Sequence, residues 1–309
     1  MSKGINSPFR YAGGKFYARK LILNHIPPHT SYVEPFAGSG SIFFAKKKVE
    51  FNHLNDLDEE LVNVYNTIKD NPEGLIDFLT KQPFHDDSLP EGKVINVANG
   101  SPLPALKELH TFFKKVYTPT TLLEQAGRWY YLNRTSYSGI MNYQNMYWGY
   151  GDKFSMQPRN WPANIRRASE KLQNVEITSL DFEEVIDNAP DGNLLFIDPP
   201  YFNTDQDKFY THSFNHNDHQ RLLECVERNN ERLFIFITYD NTPEIREMYS
   251  WMTEMHDQEW NYSIQRTDNQ KNNLDIKGSR YKGKELFILN YKRENLELVK
   301  QGVQLRLEV

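Results

Sequence analysis

The stretch Ser31-Tyr-Val-Glu-Pro-Phe-Ala-Gly-Ser-Gly-Ser-Ile-Phe-Phe-Ala45 decides the fold. Ser31 to Phe36 reads as a short buried strand, Ala37 to Gly40 as a glycine turn, and Ser41 to Ala45 as the apolar start of a helix. Glycine at a strand-to-helix junction lets a ligand approach the backbone at the positive end of the helix. Gly38 and Gly40 lack the third glycine of a full dinucleotide fingerprint. The loop alone therefore marks an α/β unit more firmly than a ligand.

Both flanks repeat the alternation. Phe51 to Asn55 is a second short strand ending at Asp56, and Leu57, Leu61, Val64, Tyr65 and Ile68 follow at the spacing of a helical stripe until Asn71-Pro72 stops it. Farther on, Leu194-Leu-Phe-Ile197 is a β-rich run that stops at Asp198-Pro199-Pro200. Asn217 with Gln220 is the expected capping box of the next helix, whose buried side is Leu222, Leu223 and Val226. Leu233-Phe-Ile-Phe-Ile-Thr238 is a near-continuous apolar strand of the kind found inside a parallel sheet. Two late strands, around Ile264 and over Leu286 to Tyr291, flank the polar, basic stretch Asn269 to Lys284. Strands alternating with helices predict a doubly wound α/β sheet. Residues 71 to about 165 break this rhythm. They are rich in Pro, Asn, Tyr and Trp, with Tyr130, Tyr131, Tyr137, Tyr143, Tyr147, Trp148 and Tyr150 among Gly139, Gly149 and Gly151, and read as an inserted module that contributes partly to the core.

Composition narrows the class. The 309 residues are 39% apolar, 25% charged and 14% aromatic, enough for a full core and a second module. Sixteen Pro and sixteen Gly in so apolar a chain exclude disorder. The longest clean apolar runs, such as Leu233 to Ile237, fall far short of the roughly 18 residues of a membrane span. Met1 to Lys15 has no apolar segment of a signal peptide, and the single cysteine, Cys225, excludes an internal disulfide framework. The expectation is a soluble, cytoplasmic protein.

Charge is segregated. Residues 1–48 carry +7, residues 266–293 carry +5 and the remainder −17, for a total of −5. Such a chain can offer a basic face to a polyanion, although lysines and arginines that merely solvate surface helices would give the same count.

Three constellations carry chemistry. Asp56 lies 18 residues beyond Gly38 at the end of the second strand, where a carboxylate can accept both ribose hydroxyls of a nucleoside; the plainer role is a helix cap or a surface acid. Asp198-Pro199-Pro200-Tyr201 follows a buried strand and so sits at a carboxyl edge. Its two prolines fix φ and remove N–H donors, leaving outward carbonyls beside an aspartate and an aromatic ring. That pocket suits a planar group bearing an exocyclic amine. Tyr11-Ala-Gly13-Gly14-Lys15 lacks the spacing of a phosphate-binding loop and alone would be a turn and a solvated lysine.

In this order the three resemble the S-adenosylmethionine-dependent DNA adenine N6-methyltransferases of the DNA adenine methylase (Dam-like) family. Asn55 to Lys69, Leu132-Asn-Arg134, Asp181-Phe182 and Phe209 to Phe214 match as well, so the resemblance covers nearly the whole chain. It implies a class I methyltransferase (Rossmann-like) fold, a doubly wound mixed seven-stranded sheet. Residues 1–70 and 166–309 would form the catalytic domain, and residues 71–165 an inserted, mainly helical target-recognition domain. It implies S-adenosylmethionine as cofactor, with Tyr11 and Lys15 lining its site, Asp56 on the ribose, Glu34 and the Phe36, Gly38, Gly40 loop around the methionine end, and Asp181 and Phe182 at the adenine. Asp198 would sit where cofactor and substrate meet, with Pro199, Pro200 and Tyr201 completing the catalytic motif. The partner implied is double-stranded DNA in a bacterial or phage-infected cell, with a cognate restriction endonuclease as a further partner. Arg134 is the expected phosphate contact and Tyr137 the side chain expected to fill the gap left by a flipped base.

One departure bears on specificity. Where GATC-specific relatives show Asn-Gly-Leu-x-Arg, this chain has Ser138-Gly-Ile-Met-Asn142. Arginine reads guanine bidentately and asparagine prefers adenine, so the expected target contains adenine but is not plain GATC. Among other features, His212, His216 and His219 lack the Cys or carboxylate of a zinc pattern, and Cys225 lies among apolar residues like a buried thiol. Methylation of cytosine N4 or of RNA, and a catalytically silent DNA-binding relative, are the rival functions; intact Lys15, Asp56, Asp198 and Tyr201 speak against the last.

Overall fold

The computed structural model describes residues 4–11, 14–80, 103–150, 155–202, 214–265 and 280–293. Ala12, Gly13, Gly151, His212 and most of the Phe209 to Phe214 match lie outside these residues, as do 81–102 of the insertion and 266–279 of the basic stretch.

A short helix α1 (Arg19–Leu23), not read from the sequence, precedes β1 (Ser31–Glu34), which stops two residues short of the expected Phe36 and is followed by α2 (Ser41–Ala45) and β2 (Phe51–Asn55) as the residue pattern predicts. Then come α3 (Glu59–Asp70), α4 (Pro72–Thr80), α5 (Leu103–Lys115), α6 (Leu122–Thr135) and α7 (Trp161–Leu172). The second half alternates β3 (Glu176–Thr178), α8 (Phe182–Asp187), β4 (Leu194–Ile197), α9 (His216–Asn229), β5 (Phe234–Asp240) and α10 (Pro243–Met248), and ends in β6 (Glu254–Gln265) and β7 (Arg280–Leu289). The seven strands form one sheet in the order β3-β2-β1-β4-β5-β7-β6. β1 to β5 run parallel, while β7 inserts antiparallel between β5 and β6. This is the mixed sheet of a class I methyltransferase. The order reverses between β1 and β4, and ligands of such sheets bind outside the carboxyl ends at that point.

Alternation along the strands divides the core in two. Tyr32, Leu194, Phe196, Phe236 and Phe287 face α2, α3, α6 and α7, whereas Val33, Leu195, Ile197, Ile235 and Ile237 face α8, α9 and α10. The first layer continues without a break into the insertion, because α3 packs against both α6 and α7 and brings Leu75, Phe78, Phe113, Trp129 and Trp161 into one core with the sheet. Tyr130, Tyr131 and Tyr150 of the aromatic-rich segment are buried there.

Local chemistry shifts three boundaries. Asp58 caps α3 by accepting from the Glu60 and Leu61 N–H groups, so Leu57 precedes the helix and is 50% exposed instead of heading its apolar stripe. Pro72 does not simply end a helix; it opens α4, where its missing N–H costs nothing. The capping box of α9 is Asn215 with Asp218, two residues before the expected pair, since Asp218 accepts the Asn215 N–H at 2.9 Å. The basic N-terminal segment also differs from a surface patch: Lys15 and Lys46 are buried. Among the described residues, no helix is long and apolar enough to cross a membrane.

Candidate active site

The carboxyl ends of the parallel strands β1 to β5 lie along one edge of the sheet, where the candidate site residues gather. Asn55, at the end of β2, ties three of these ends together. Its Nδ2 donates to the Pro35 and Leu180 carbonyls, both at 3.0 Å, and its Oδ1 accepts from the Leu180 N–H and the Thr178 hydroxyl, both at 2.8 Å. Above this tie lies the glycine loop. Gly38 has φ 47° and Gly40 φ 60°, and a Cβ on Gly38 would meet the Tyr11 ring at 3.2 Å. The Gly38 N–H donates to Asp56 Oδ2 at 2.8 Å, the Asp58 N–H donates to Asp56 Oδ1 at 3.0 Å, and the Tyr65 hydroxyl donates to the Gly38 carbonyl at 2.8 Å. Tyr11, Gly38 and Asp56, expected to act together, therefore are together.

Glu34 lies beneath this loop. It is buried, accepts from the Phe43 N–H at 2.9 Å and from the Tyr32 hydroxyl, and so binds β1 to the start of α2. Burial pushes its carboxyl up to about 7 against those two hydrogen bonds. Lys46, buried with its ammonium 4.2 Å over the Tyr32 ring, is drawn down to about 7 by the same loss of solvent. Beside the loop, Phe36, Phe182 and Phe214 form an aromatic cluster with ring centroids 5.4 to 5.8 Å apart. Asp181, next to Phe182, caps α8 through the Glu183 N–H at 3.0 Å and pairs with Arg221 at 2.9 Å. The Arg221 guanidinium lies 4.9 Å from the centre of the Phe182 ring.

At the end of β4, Asp198 Oδ1 receives Lys15 Nζ at 2.6 Å and the Thr238 hydroxyl at 2.8 Å. The same Lys15 ammonium lies 4.8 Å from the centre of the Tyr201 ring and 3.8 Å from Glu285 Oε2. Burial works to discharge Lys15, but the charges of Asp198 and then Glu285 outweigh it and hold the ammonium above its ordinary value. Tyr201 is backed by Tyr239 at 6.1 Å, whose hydroxyl meets buried His219, and the Phe202 N–H donates to Asp240 at 3.1 Å. The tetrapeptide is thus an acceptor carboxylate and an aromatic face held on rigid strand ends.

The insertion reaches this cleft through the end of α6. Asn133, fully buried, clasps the backbone of Arg10: its Oδ1 accepts the Arg10 N–H at 2.9 Å and its Nδ2 donates to the Arg10 carbonyl at 2.7 Å. Arg134 is corrected by the structure. It is only 5% exposed, beside Tyr130 and Tyr150, with its guanidinium donating to the Pro8 carbonyl at 3.4 Å, so it braces the N-terminal segment from inside and does not face a phosphate. Tyr137 is half-buried in the loop that follows, hinged where Ser138 adopts φ 52°. Asn142 Oδ1 accepts the Gln144 and Asn145 N–H groups at 3.0 and 3.4 Å, giving this residue a turn-forming role in addition to any contact with a base.

Comparison with known proteins agrees with this geometry. Residues 11–264 match the family model of D12 class N6 adenine-specific DNA methyltransferases. The chain belongs to that family. It is 26% identical to the Type II methyltransferase M1.LlaDCHI of Lactococcus lactis subsp. cremoris over 92% of this chain and 95% of that one. It is 29% identical to the DNA N-6-adenine-methyltransferase of Escherichia phage P1 over 79% of this chain and 31% of that longer protein. It is 25% identical to the DNA adenine methylase of Escherichia coli K12 over 78% and 82%. This D12 member is accordingly an adenine-specific DNA methyltransferase. Two residues that contact Asp198 or Lys15 were not read from the sequence. Thr238 sits at the end of a strand otherwise read only as apolar, and Glu285 is an acid at the start of the apolar run Leu286 to Leu289, a pattern that resembles any strand edge. No metal-binding cluster occurs among the described residues, and Cys225 is buried with its thiol pushed up to about 12, first by burial and then by Asp187.

Proposed function

We propose that this D12 enzyme transfers a methyl group from S-adenosylmethionine to the N6 amine of an adenine flipped out of duplex DNA, using Asp198, Pro199, Pro200 and Tyr201. The observation that carries the reading is Asp198 Oδ1, fixed by Lys15 and Thr238 beside the Tyr201 ring. The cleft residues fit the cofactor. Left-handed Gly38 and Gly40 leave backbone room, Asp56 lies beside them as an acceptor, and the contacting rings of Phe36 and Phe182 offer an apolar surface against which an adenine would pack. Tyr11, Lys15, Glu34, Asp181 and Asp198 complete the set that would hold it. When bound, the group supplies a sulfonium-activated methyl.

The protein's part is orientation. The N6 lone pair of adenine is conjugated into the ring and nucleophilically poor. The Asp198 carboxylate and the Pro199 carbonyl, accepting the two N6 hydrogens, favour a pyramidal nitrogen with its lone pair directed at the methyl. Tyr201 stacks on the base and fixes its plane. Positioning of this kind supplies up to roughly 7–11 kcal/mol, and no covalent enzyme intermediate is required. A base can reach such a pocket only by leaving the duplex.

In this reading residues 1–70 and 166–309 are catalytic, residues 71–165 recognise DNA, and Tyr137 fills the vacated position in the stack. The target contains adenine but is not plain GATC, because Asn142 stands where GATC-specific relatives carry arginine. Similarity to a Type II methyltransferase over 92% of the chain supports a protective role alongside a cognate restriction endonuclease, in the cytoplasm of a bacterial or phage-infected cell. The test is incubation with methyl-labelled S-adenosylmethionine and mixed-sequence DNA, followed by mass spectrometry of nucleosides. Label in N6-methyladenine that Asp198→Ala abolishes is the expected result; label in N4-methylcytosine, or in RNA alone, overturns the assignment. Methylome sequencing of an expressing host that found GATC alone would refute the specificity.

A further inference from the structure

The Lys15 ammonium is shared between two carboxylates. It lies 2.6 Å from Asp198 on β4 and 3.8 Å from Glu285 on β7, and Lys15 and Glu285 are 3% and 0% exposed. β7 places Glu285 at the carboxyl edge by pairing it with Asp240 of β5, the residue that accepts the Phe202 N–H just beyond the catalytic tetrapeptide. Asp198 is 22% exposed and Glu285 is not exposed at all, so only the first can meet a substrate. The donors Lys15 and Thr238 both fall on Asp198 Oδ1, so the second carboxylate oxygen is the one that can face a substrate. A lone Lys15–Asp198 pair would be neutral, a weak acceptor for a neutral amine. With Glu285 the trio carries one net negative charge.

We propose that Glu285 is a positioning residue for methyl transfer: by sharing the Lys15 ammonium it keeps that cation from neutralising Asp198, whose second oxygen stays a strong acceptor for the N6 amine. The inference rests on the assignment of Asp198 to the transfer site. Lys15 Nζ stays between the two oxygens that flank it, and no proton changes hands. The burial of Glu285 has the same rationale, since an acid that water could reach would hold the ammonium less firmly. The charged and titratable groups around Lys15 include Asp198 on β4, Tyr201 just beyond it and Glu285 on β7, with Asp240 of β5 opposite Glu285 and with Glu34 and Tyr32 of β1 acting on Asp198.

The experiment compares Glu285→Gln and Glu285→Asp with the wild-type full-length chain. Lys15 is titrated by NMR of carbon-13 at its ε position, without cofactor or DNA, and steady-state methylation is measured across pH. In Glu285→Gln the Lys15 titration moves to lower pH by about one unit or more. Its kcat falls about 10²-fold with KM for DNA little changed, and its pH profile shifts on the alkaline side. Glu285→Asp recovers part of each effect. An unmoved Lys15 titration in both variants, or a loss of activity in which KM rises while the kcat pH profile keeps its shape, overturns the proposal. Should Glu285→Gln fail to fold, Glu285→Asp alone decides by the same two readouts. Failure of the underlying assignment would show separately, as wild-type label appearing somewhere other than adenine N6.

Discussion

Replacing Asn133 by alanine tests how the insertion is joined to the catalytic cleft. Asn133 is fully buried near the end of α6, and its two bonds to Arg10, at 2.9 and 2.7 Å, engage both backbone groups of one residue. A third, longer contact of 3.5 Å reaches the Gly139 carbonyl. Each bond contributes about 0.5–1.5 kcal/mol, and a backbone group left buried without a partner costs about 1–3 kcal/mol. Arg10 is itself half-exposed, so water recovers part of the loss, and the sum is about 2–4 kcal/mol. In urea the unfolding midpoint falls by about 1 M with an unchanged slope. Because Arg10 leads directly into Tyr11, whose ring packs on Gly38, Asn133→Ala also weakens cofactor binding, which calorimetry reads. Asn133→Asp is at least as damaging, for it presents an acceptor to the Arg10 carbonyl. A loss below about 0.5 kcal/mol in both variants refutes the clasp, since that is the level of ordinary surface substitutions.

Gly38→Ala forces a Cβ into a left-handed conformation 3.2 Å from the Tyr11 ring, and cofactor affinity measured by calorimetry drops by tenfold or more, about 1.4 kcal/mol. Tyr65→Phe removes only the 2.8 Å bond to the Gly38 carbonyl, so its cost in urea unfolding is about 1 kcal/mol and methylation survives. Glu34 gives a pH signature. Its folded carboxyl is raised to about 7, above the unfolded 4.5, so its stabilising contribution is full below 4.5 and lost as pH rises through 7. Between about pH 4.5 and 6.5 the wild type loses about 2 kcal/mol from this group, and Glu34→Gln flattens that limb of the stability profile. Lys46, lowered to about 7, acts on the other side: its contribution is full above 10.5 and falls away as pH drops towards 7.

The sheet was legible because its strands are short apolar runs closed by glycine, proline or aspartate: β2, α2 and β4 begin and end where the residue pattern places them. Asp56 and the Asp198 tetrapeptide were legible for a related reason, each standing at the end of such a run. What escaped reading depends on contacts distant in sequence. Arg134 looks like a surface cation because arginine seldom has partners inside; here the Pro8 carbonyl, 126 residues away, supplies one. Asn133, one residue earlier in the same matched triplet, holds Arg10 across 123 residues, and nothing in its neighbours announces that. Glu285 escaped because its meaning comes from antiparallel pairing with β5, which a parallel-looking α/β pattern does not specify. Asp181 and Phe182 stand at the start of α8, and the tie of Asp181 to Arg221 is a tertiary fact that their neighbours in sequence do not announce.

The loop after α6 has a further consequence. Its stem is closed by main-chain bonds, from the Tyr137 N–H to the Tyr147 carbonyl at 2.8 Å and from the Gly149 N–H to the Thr135 carbonyl at 2.9 Å, with a bridge between Ser136 and Trp148. Its inner residues Ile140, Met141 and Met146 are buried, while Gln144 and Tyr147 are exposed and Ser138, Asn142 and Asn145 partly so. Main-chain bonds do not depend on side-chain identity. Substitutions at Gln144 and Tyr147 can therefore accumulate without loosening the stem or the core beneath it, whereas Asn142, whose side chain builds the turn, and Ser138, held at φ 52°, are less free to change.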